Sequence, residues 1–252
     1  MIQRSKRGSA FALLCMVLAC FLSSPAFSAG NNSSFYPSLS PDSQAQRLEE
    51  ALNQAQMKGK PLLLILGANW CHDSRALAGY FDSPQVKQAA SHYRVLPVNV
   101  GYLENKSALL GQFNYPAYFA TPTVLAIDPE SKTVLNRTSL VTWQSAHNES
   151  AATLAEYLDS IVAGSAVGET HSEISPSLIE FETQQANVLY AHYQHLGVLL
   201  KQEDEGQATP TLNAKWREVK AFRVKLQNDL IDLHQQPELP GAFPTYPEIS
   251  WK

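Results

Sequence analysis

The chain has 252 residues, of which 44% are hydrophobic and 17% charged. That composition supports a packed core and excludes wholesale disorder. The length suits one domain with a sizeable addition, or two small ones, at roughly 100–200 residues per domain. A formal net charge of −4 excludes a general attraction to nucleic acid.

The first 29 residues read as a secretory signal peptide. Arg4, Lys6 and Arg7 form a positive start, Ala10 to Leu22 an uncharged apolar run, and small residues with Pro25 follow. The run is shorter than the roughly 20 apolar residues of a membrane span. A second reading is a lipoprotein signal, with Val17-Leu18-Ala19 ahead of a lipidated Cys20; a third is an uncleaved anchor. Cleavage would remove three basic and no acidic residues, leaving 16 basic against 23 acidic and a net charge of −7. It would also remove Cys15 and Cys20, leaving Cys71 alone in a compartment that permits disulfides. A single thiol there points to intermolecular pairing or reactivity. The expected location is therefore outside the cytoplasm, periplasmic or secreted, with no membrane span in the mature chain.

Residues 30–39 are rich in Asn and Ser and read as a flexible leader. Ser40-Pro41-Asp42 is a helix start, followed by Leu48, Ala51, Leu52 and Ala55 at helical spacing and a stop at Lys58-Gly59-Lys60-Pro61. Leu62 to Leu66 predicts a buried strand, and Ser74 to Phe81 a helix. Ser83-Pro84 opens another short helix. Arg94 to Val100 predicts a strand that Pro97 confines to an edge or distorts. Lys106 to Phe113 predicts a helical stretch. Thr123 to Ile127 and Thr133 to Thr138 predict two strands joined by Asp128-Pro129-Glu130-Ser131, and Glu149 to Val162 predicts a helix. Strands alternating with helices, followed by a hairpin, indicate an α/β sheet with helices on both faces. Residues 164–175 read as a linker. Residues 176–202 and 211–235 predict two long helices, so 176–252 forms a C-terminal helical hairpin extension with a Pro-rich tail.

The passage Leu62-Leu63-Leu64-Ile65-Leu66-Gly67-Ala68-Asn69-Trp70-Cys71, together with Thr121-Pro122-Thr123 ahead of an apolar strand, resembles the thioredoxin superfamily over about residues 40–163. The resemblance implies a thioredoxin-like fold, with Cys71 exposed and reactive at a helix N-terminus and Pro122 in cis beside it. Backbone N–H groups and the helix dipole at such a position favour the thiolate, which is the reactive species. His72, when protonated, would add to this and Asp73 would oppose it. Ser74 would hydrogen-bond the sulfur, and Trp70, Thr121 and Pro122 would form the substrate surface, with Thr121 offering its backbone to a peptide. Two departures stand out. Ser74 occupies the place of the resolving cysteine, and Ile65 stands where many relatives carry a buried Asp. Without a resolving cysteine, a mixed disulfide must be released by glutathione or by a partner's thiol. The expected function is monothiol disulfide exchange on proteins. The alternative is a non-catalytic, chaperone-like binding module that uses the C-terminal helices as a partner surface. Neither reading requires a cofactor beyond glutathione as a co-substrate.

No metal site is expected. His192 and His195, three apart on a helix, lack a third ligand and read as solvated histidines. Arg217, Lys220, Arg223 and Lys225 read as one solvated face. Leu178, Phe181, Val188, Leu189, Tyr193, Leu196 and Leu199, with Trp216, Val219, Phe222, Val224, Leu226, Leu230 and Leu233, read as the apolar faces with which the two helices pack on each other and on the α/β domain, or alternatively as a surface for a partner or a second copy.

Overall fold

The computed structural model describes residues 34–164 and 174–251. The expected signal segment, including Cys15 and Cys20, and most of the expected linker lie outside the described residues.

Among the described residues three strands form the sheet: β1 (Leu62–Gly67), β2 (Arg94–Asn99) and β3 (Thr123–Ile127). The order is β2-β1-β3, with β2 parallel and β3 antiparallel to β1. Every residue of β1 is buried, as a continuous apolar run implies for a strand covered on both faces. Leu62, Leu64 and Leu66 point into one core, Leu63 and Ile65 into the other. Pro97 is tolerated because β2 is an edge strand, where a missing N–H breaks no second ladder.

The expected fourth strand is not formed. Thr133–Thr138 makes only an isolated bridge, Ile127 to Val134. The cause is Asn136, whose side chain takes the place of a strand backbone. Its Oδ1 accepts the Ala126 N–H (2.9 Å) and its Nδ2 donates to Val124 O (2.8 Å). The edge of β3 is thus shared between the Asn136 amide and two backbone bonds, Leu135 N–H to Ala126 O (2.8 Å) and Asp128 N–H to Thr133 O (2.9 Å), and the chain turns into a 3₁₀ segment at Leu140–Asn148.

Helices cover both faces. The Leu62/Leu64/Leu66 face packs on α1 (Pro41–Met57), on the short α4 (Ser107–Leu110) and on the long C-terminal helices; the Leu63/Ile65 face packs on α2 (His72–Tyr80), α3 (Pro84–Ala90), α5 (Ala151–Val162) and Trp143. The Ser40 and Ser150 side chains cap α1 and α5, accepting the N–H groups of Ser43 and Thr153. The expected flexible leader is anchored over its described part. Tyr36 is 1% exposed, its ring lies where any side chain at residue 67 would stand, and its carbonyl accepts from Asn69 and Asn99.

The C-terminal helices α6 (Pro176–Asp204) and α7 (Leu212–Gln235) pack on each other and contribute Leu189, Tyr193, Leu196, Phe222 and Leu226 to the same core as Leu64 and Leu66. Two features bind α6 to the α/β unit. Gly197 meets the backbone carbonyl of Tyr102 so closely that a Cβ there would overlap it. Glu182, buried, pairs with Arg137 (3.2 Å) and with His234 of α7, and Arg137 also donates to Asn114 O (2.5 Å). The tail returns over α6. Trp251 stacks on His195 and donates from Nε1 to His192 Nδ1 (3.0 Å). The two histidines therefore hold the tail; His195 is exposed, as expected, while His192 is half-buried, and burial holds its imidazole below its usual range. Arg223 is likewise not a solvated charge, since its guanidinium lies over the Trp216 ring.

Between α4 and β3 the chain runs irregularly from Asn114, which is exposed, to Pro122, and is buried throughout from Ala117 on. Buried carbonyls without a ladder need donors, and side chains supply them. Tyr190 donates to Pro116 O (3.2 Å), Tyr193 to Tyr118 O and Phe119 O (3.2 and 3.1 Å), and Thr123 Oγ1 to Ala120 O (2.7 Å). Burial pushes both tyrosine phenols up, which keeps them protonated as donors.

Gly197→Ala should weaken the seat of α6 although Ala is the better helix former by about 1 kcal/mol. The expected readout is a lower denaturant midpoint together with faster protease cleavage within α6. Tyr193→Phe removes one donor from two buried carbonyls and should cost about 1–3 kcal/mol in urea unfolding. A change within the error of the measurement would show that those carbonyls find other partners.

Candidate functional site

Gly67 ends β1, and a turn closed by Cys71 N–H on Ala68 O (3.1 Å) delivers Cys71 to the N-cap of α2. Arg75 reaches back from α2 and donates to Asn69 O (2.9 Å) and Trp70 O (2.8 Å), so the turn before the cysteine is held by the helix it precedes. Cys71 has extended backbone angles, and among the described residues no side chain caps the helix. The first N–H groups of α2 therefore remain on the cysteine side, as expected for an N-terminal thiol site.

The sulfur does not face solvent. Cys71 is 9% exposed, and Sγ donates to Thr121 O at 3.1 Å. The expected exposed thiol is instead turned inward onto the carbonyl of the residue before Pro122. The Thr121–Pro122 peptide is cis, and both residues are buried. Cys71, Thr121 and Pro122 are thus brought together across fifty residues of sequence.

Ser74 is fully buried one turn into α2. Its Oγ accepts the Ala68 N–H (3.2 Å) and its carbonyl accepts from Tyr36 Oη (3.2 Å). Among the described residues, the Ser74 hydroxyl meets that amide rather than the Cys71 sulfur. Burial, and secondarily the nearby Cys71, push the Tyr36 phenol up. Ile65 is fully buried in the apolar cluster with Leu77 and Trp143. An ionised Asp in that cluster would be strongly penalised without a partner.

Trp70 is half-buried. Its Nε1 donates to Gly101 O (2.8 Å), and its ring meets Trp216 of α7 edge-on at 6.3 Å between centroids. The indole is held by one loop and one C-terminal helix, so α7 borders the thiol site.

His72 and Asp73 turn the other way, toward the 3₁₀ segment Leu140–Asn148. His147 donates its backbone N–H to Asp73 Oδ1 (3.1 Å), and its Nδ1 lies 2.5 Å from the same oxygen. His72 Nε2 lies 3.4 Å from Asp73 Oδ2 and 3.1 Å from His147 Nδ1. Sequence reasoning missed His147. It lies 74 residues beyond Asp73, in a segment without a hydrophobic period, and nothing local marks it.

Residues 44–129, a stretch that contains both Cys71 and cis-Pro122, match the family model described as thioredoxin-like. No curated protein matches the chain. Among solved structures, the chain is similar to a disulphide isomerase from Xylella fastidiosa Temecula1, with 23% identity over 50% of this chain and 97% of that one and a TM-score of 0.45. The family match takes in the three strands, the cysteine turn and the proline loop, and over that stretch, about a third of the chain, the protein is similar to the thioredoxin-like family.

Proposed function

We propose that the protein carries out thiol–disulfide exchange through Cys71 alone, outside the cytoplasm, on proteins or with glutathione. The observation that carries this reading is the contact between Cys71 Sγ and Thr121 O beside cis-Pro122, with Ser74 where a second thiol would otherwise stand.

The chemistry follows from those atoms. Cys71 loses its proton to water, and the thiolate attacks one sulfur of a disulfide R–S–S–R′. A Cys71–S–S–R bond forms as the original S–S bond breaks, and R′S⁻ leaves and is protonated by solvent. Ionisation also ends the hydrogen bond from Sγ to Thr121 O. That carbonyl then accepts a backbone N–H from an extended substrate, so the thiol's own contact reserves the docking position until the sulfur is charged. Because Ser74 cannot attack the mixed disulfide, a second thiolate, from glutathione or from the partner, must attack it, restoring Cys71 and forming the product disulfide. His72 and Asp73 set the charge beside the sulfur, and Trp70 with Thr121 and Pro122 forms the substrate surface. Export rests on the sequence of residues 1–29. Among the described residues no helix is long and apolar enough to cross a membrane.

A second reading, a binding module without turnover, is favoured by one observation: Cys71 is only 9% exposed, and α7 meets Trp70 at the edge of the site. Glutathione disulfide separates the two. Under the exchange reading, the protein gains one glutathione on Cys71, seen by mass spectrometry, and Cys71→Ser gains none there. Ser74→Cys supplies an internal attacker, so its adduct should collapse to an internal disulfide between Cys71 and the introduced thiol, and the steady-state adduct should fall. A Cys71 that remains unmodified in the folded protein, yet reacts after denaturation, would leave the binding-module reading in its place.

A further inference from the structure

We propose that His72 Nε2, the Asp73 carboxylate and His147 Nδ1 form a binding site for one divalent transition-metal ion of the zinc class, in which the Cys71 sulfur is not a ligand. Two imidazole nitrogens and a carboxylate are the donor set that borderline divalent ions take, and three protein ligands leave a fourth position for water or an exchangeable group.

The distances suit such an ion. Ligands on a tetrahedral zinc with bonds of about 2.0–2.1 Å stand about 3.3–3.4 Å apart. His72 Nε2 is 3.1 Å from His147 Nδ1 and 3.4 Å from Asp73 Oδ2. The third edge, 2.5 Å from His147 Nδ1 to Asp73 Oδ1, is that of a short hydrogen bond and must open by under an ångström. All three ligand atoms lie within 4.8 Å of one another. The proton inventory points the same way. If His147 Nδ1 carries the proton shared with Asp73, then His72 Nε2 points a lone pair at the same small space. Three acceptors converge on one proton, and a cation taking its place would satisfy all three, with the His147 proton moved to Nε2 or released.

The ligands are also held in place by other contacts. His72 and Asp73 are fixed by the first turn of α2. His147 is fixed by its own N–H on Asp73 Oδ1 and by Tyr80, whose hydroxyl donates to the carbonyls of Ala146 (2.8 Å) and Glu149 (2.6 Å) on either side of it. Both ends of α2 thus clamp the turn that carries His147. Asp73 is 13% exposed in its side chain, against 62% for His72 and 45% for His147, so the site has a shielded anion at its base and an open mouth. Cys71 is adjacent in sequence but aims its sulfur at Thr121 O and is not among the converging ligand atoms.

Calorimetric titration of the protein with zinc chloride tests this. One ion per chain is expected. His147→Ala, His72→Ala and Asp73→Asn should each weaken binding by about 10-fold or more, while Cys71→Ser leaves it unchanged. The two histidines are exposed, so their removal should leave the far-UV circular dichroism intact and the loss attributable to ligation. Cobalt(II) in place of zinc should give ligand-field absorption that His147→Ala abolishes. The proposal is overturned if the wild-type protein takes up no zinc, if binding persists undiminished in His147→Ala, or if cobalt shows a thiolate charge-transfer band that Cys71→Ser removes.

Discussion

The need to satisfy the buried carbonyls from Tyr118 to Thr121 governs much of this molecule. An irregular segment inside a protein cannot borrow water, and an unpaired carbonyl there costs about 1–3 kcal/mol. The donors come from separate parts of the chain: Tyr193 from α6, Thr123 from the start of β3 and Cys71 from the start of α2, with Arg137 and Tyr190 holding the less buried carbonyls of Asn114 and Pro116 just ahead. The proline loop is therefore the place where the sheet, the cysteine turn and the C-terminal extension meet. The sulfur of Cys71 is one of a series of donors to one stretch of backbone, and this explains why it is turned inward.

The same constraint gives the C-terminal helices a role at the site. Tyr193 supports the two carbonyls just ahead of Ala120 and Thr121, and Trp216 meets Trp70. Burial keeps the tyrosine hydroxyls protonated, so their support does not depend on pH in the neutral range. A sheet of only three strands exposes a large apolar face. Leu64, Leu66, Leu96 and Val98 would lie partly uncovered without Leu189, Tyr193 and Leu226 against that cluster. Burial of aromatic and aliphatic side chains at about 25 cal/mol per Å² makes such coverage the larger share of the stabilisation, with the hydrogen bonds setting position.

Much of this was legible in the sequence, because hydrophobic periodicity reports burial directly. The run Leu62–Leu66 and the helical spacings of α1, α5, α6 and α7 follow from it, as does the place of Pro97 on an edge. The cysteine and proline landmarks were legible by resemblance. What failed did so for identifiable reasons. Thr133–Thr138 has strand composition, but a strand needs its partner's groups free, and beyond Leu135 the Asn136 side chain fills the Ala126 N–H and the Val124 carbonyl. Tyr36 sits in a polar leader whose composition says loop; its burial depends on the bare backbone of Gly67, which no local pattern reports. Trp251 anchors on His192 and His195 through contacts spanning more than fifty residues.

The first turn of α2 shows why a reading confined to neighbouring residues divides the site incorrectly. Cys71, His72, Asp73 and Ser74 are consecutive, and adjacency suggests a single cluster around the sulfur. A helix turns about 100° per residue, so consecutive side chains must face different surroundings. Cys71 faces the proline loop, Ser74 faces inward to Ala68, and His72 and Asp73 face His147. Asp73 belongs at this end of a helix, since a carboxylate there is favoured by the dipole. That preference fixes an anion beside the thiol and at the same time draws His147 onto it through two contacts. The turn therefore serves two chemistries, a sulfur on one side and a histidine–carboxylate cluster on the other, separated by the rotation of the helix that carries both.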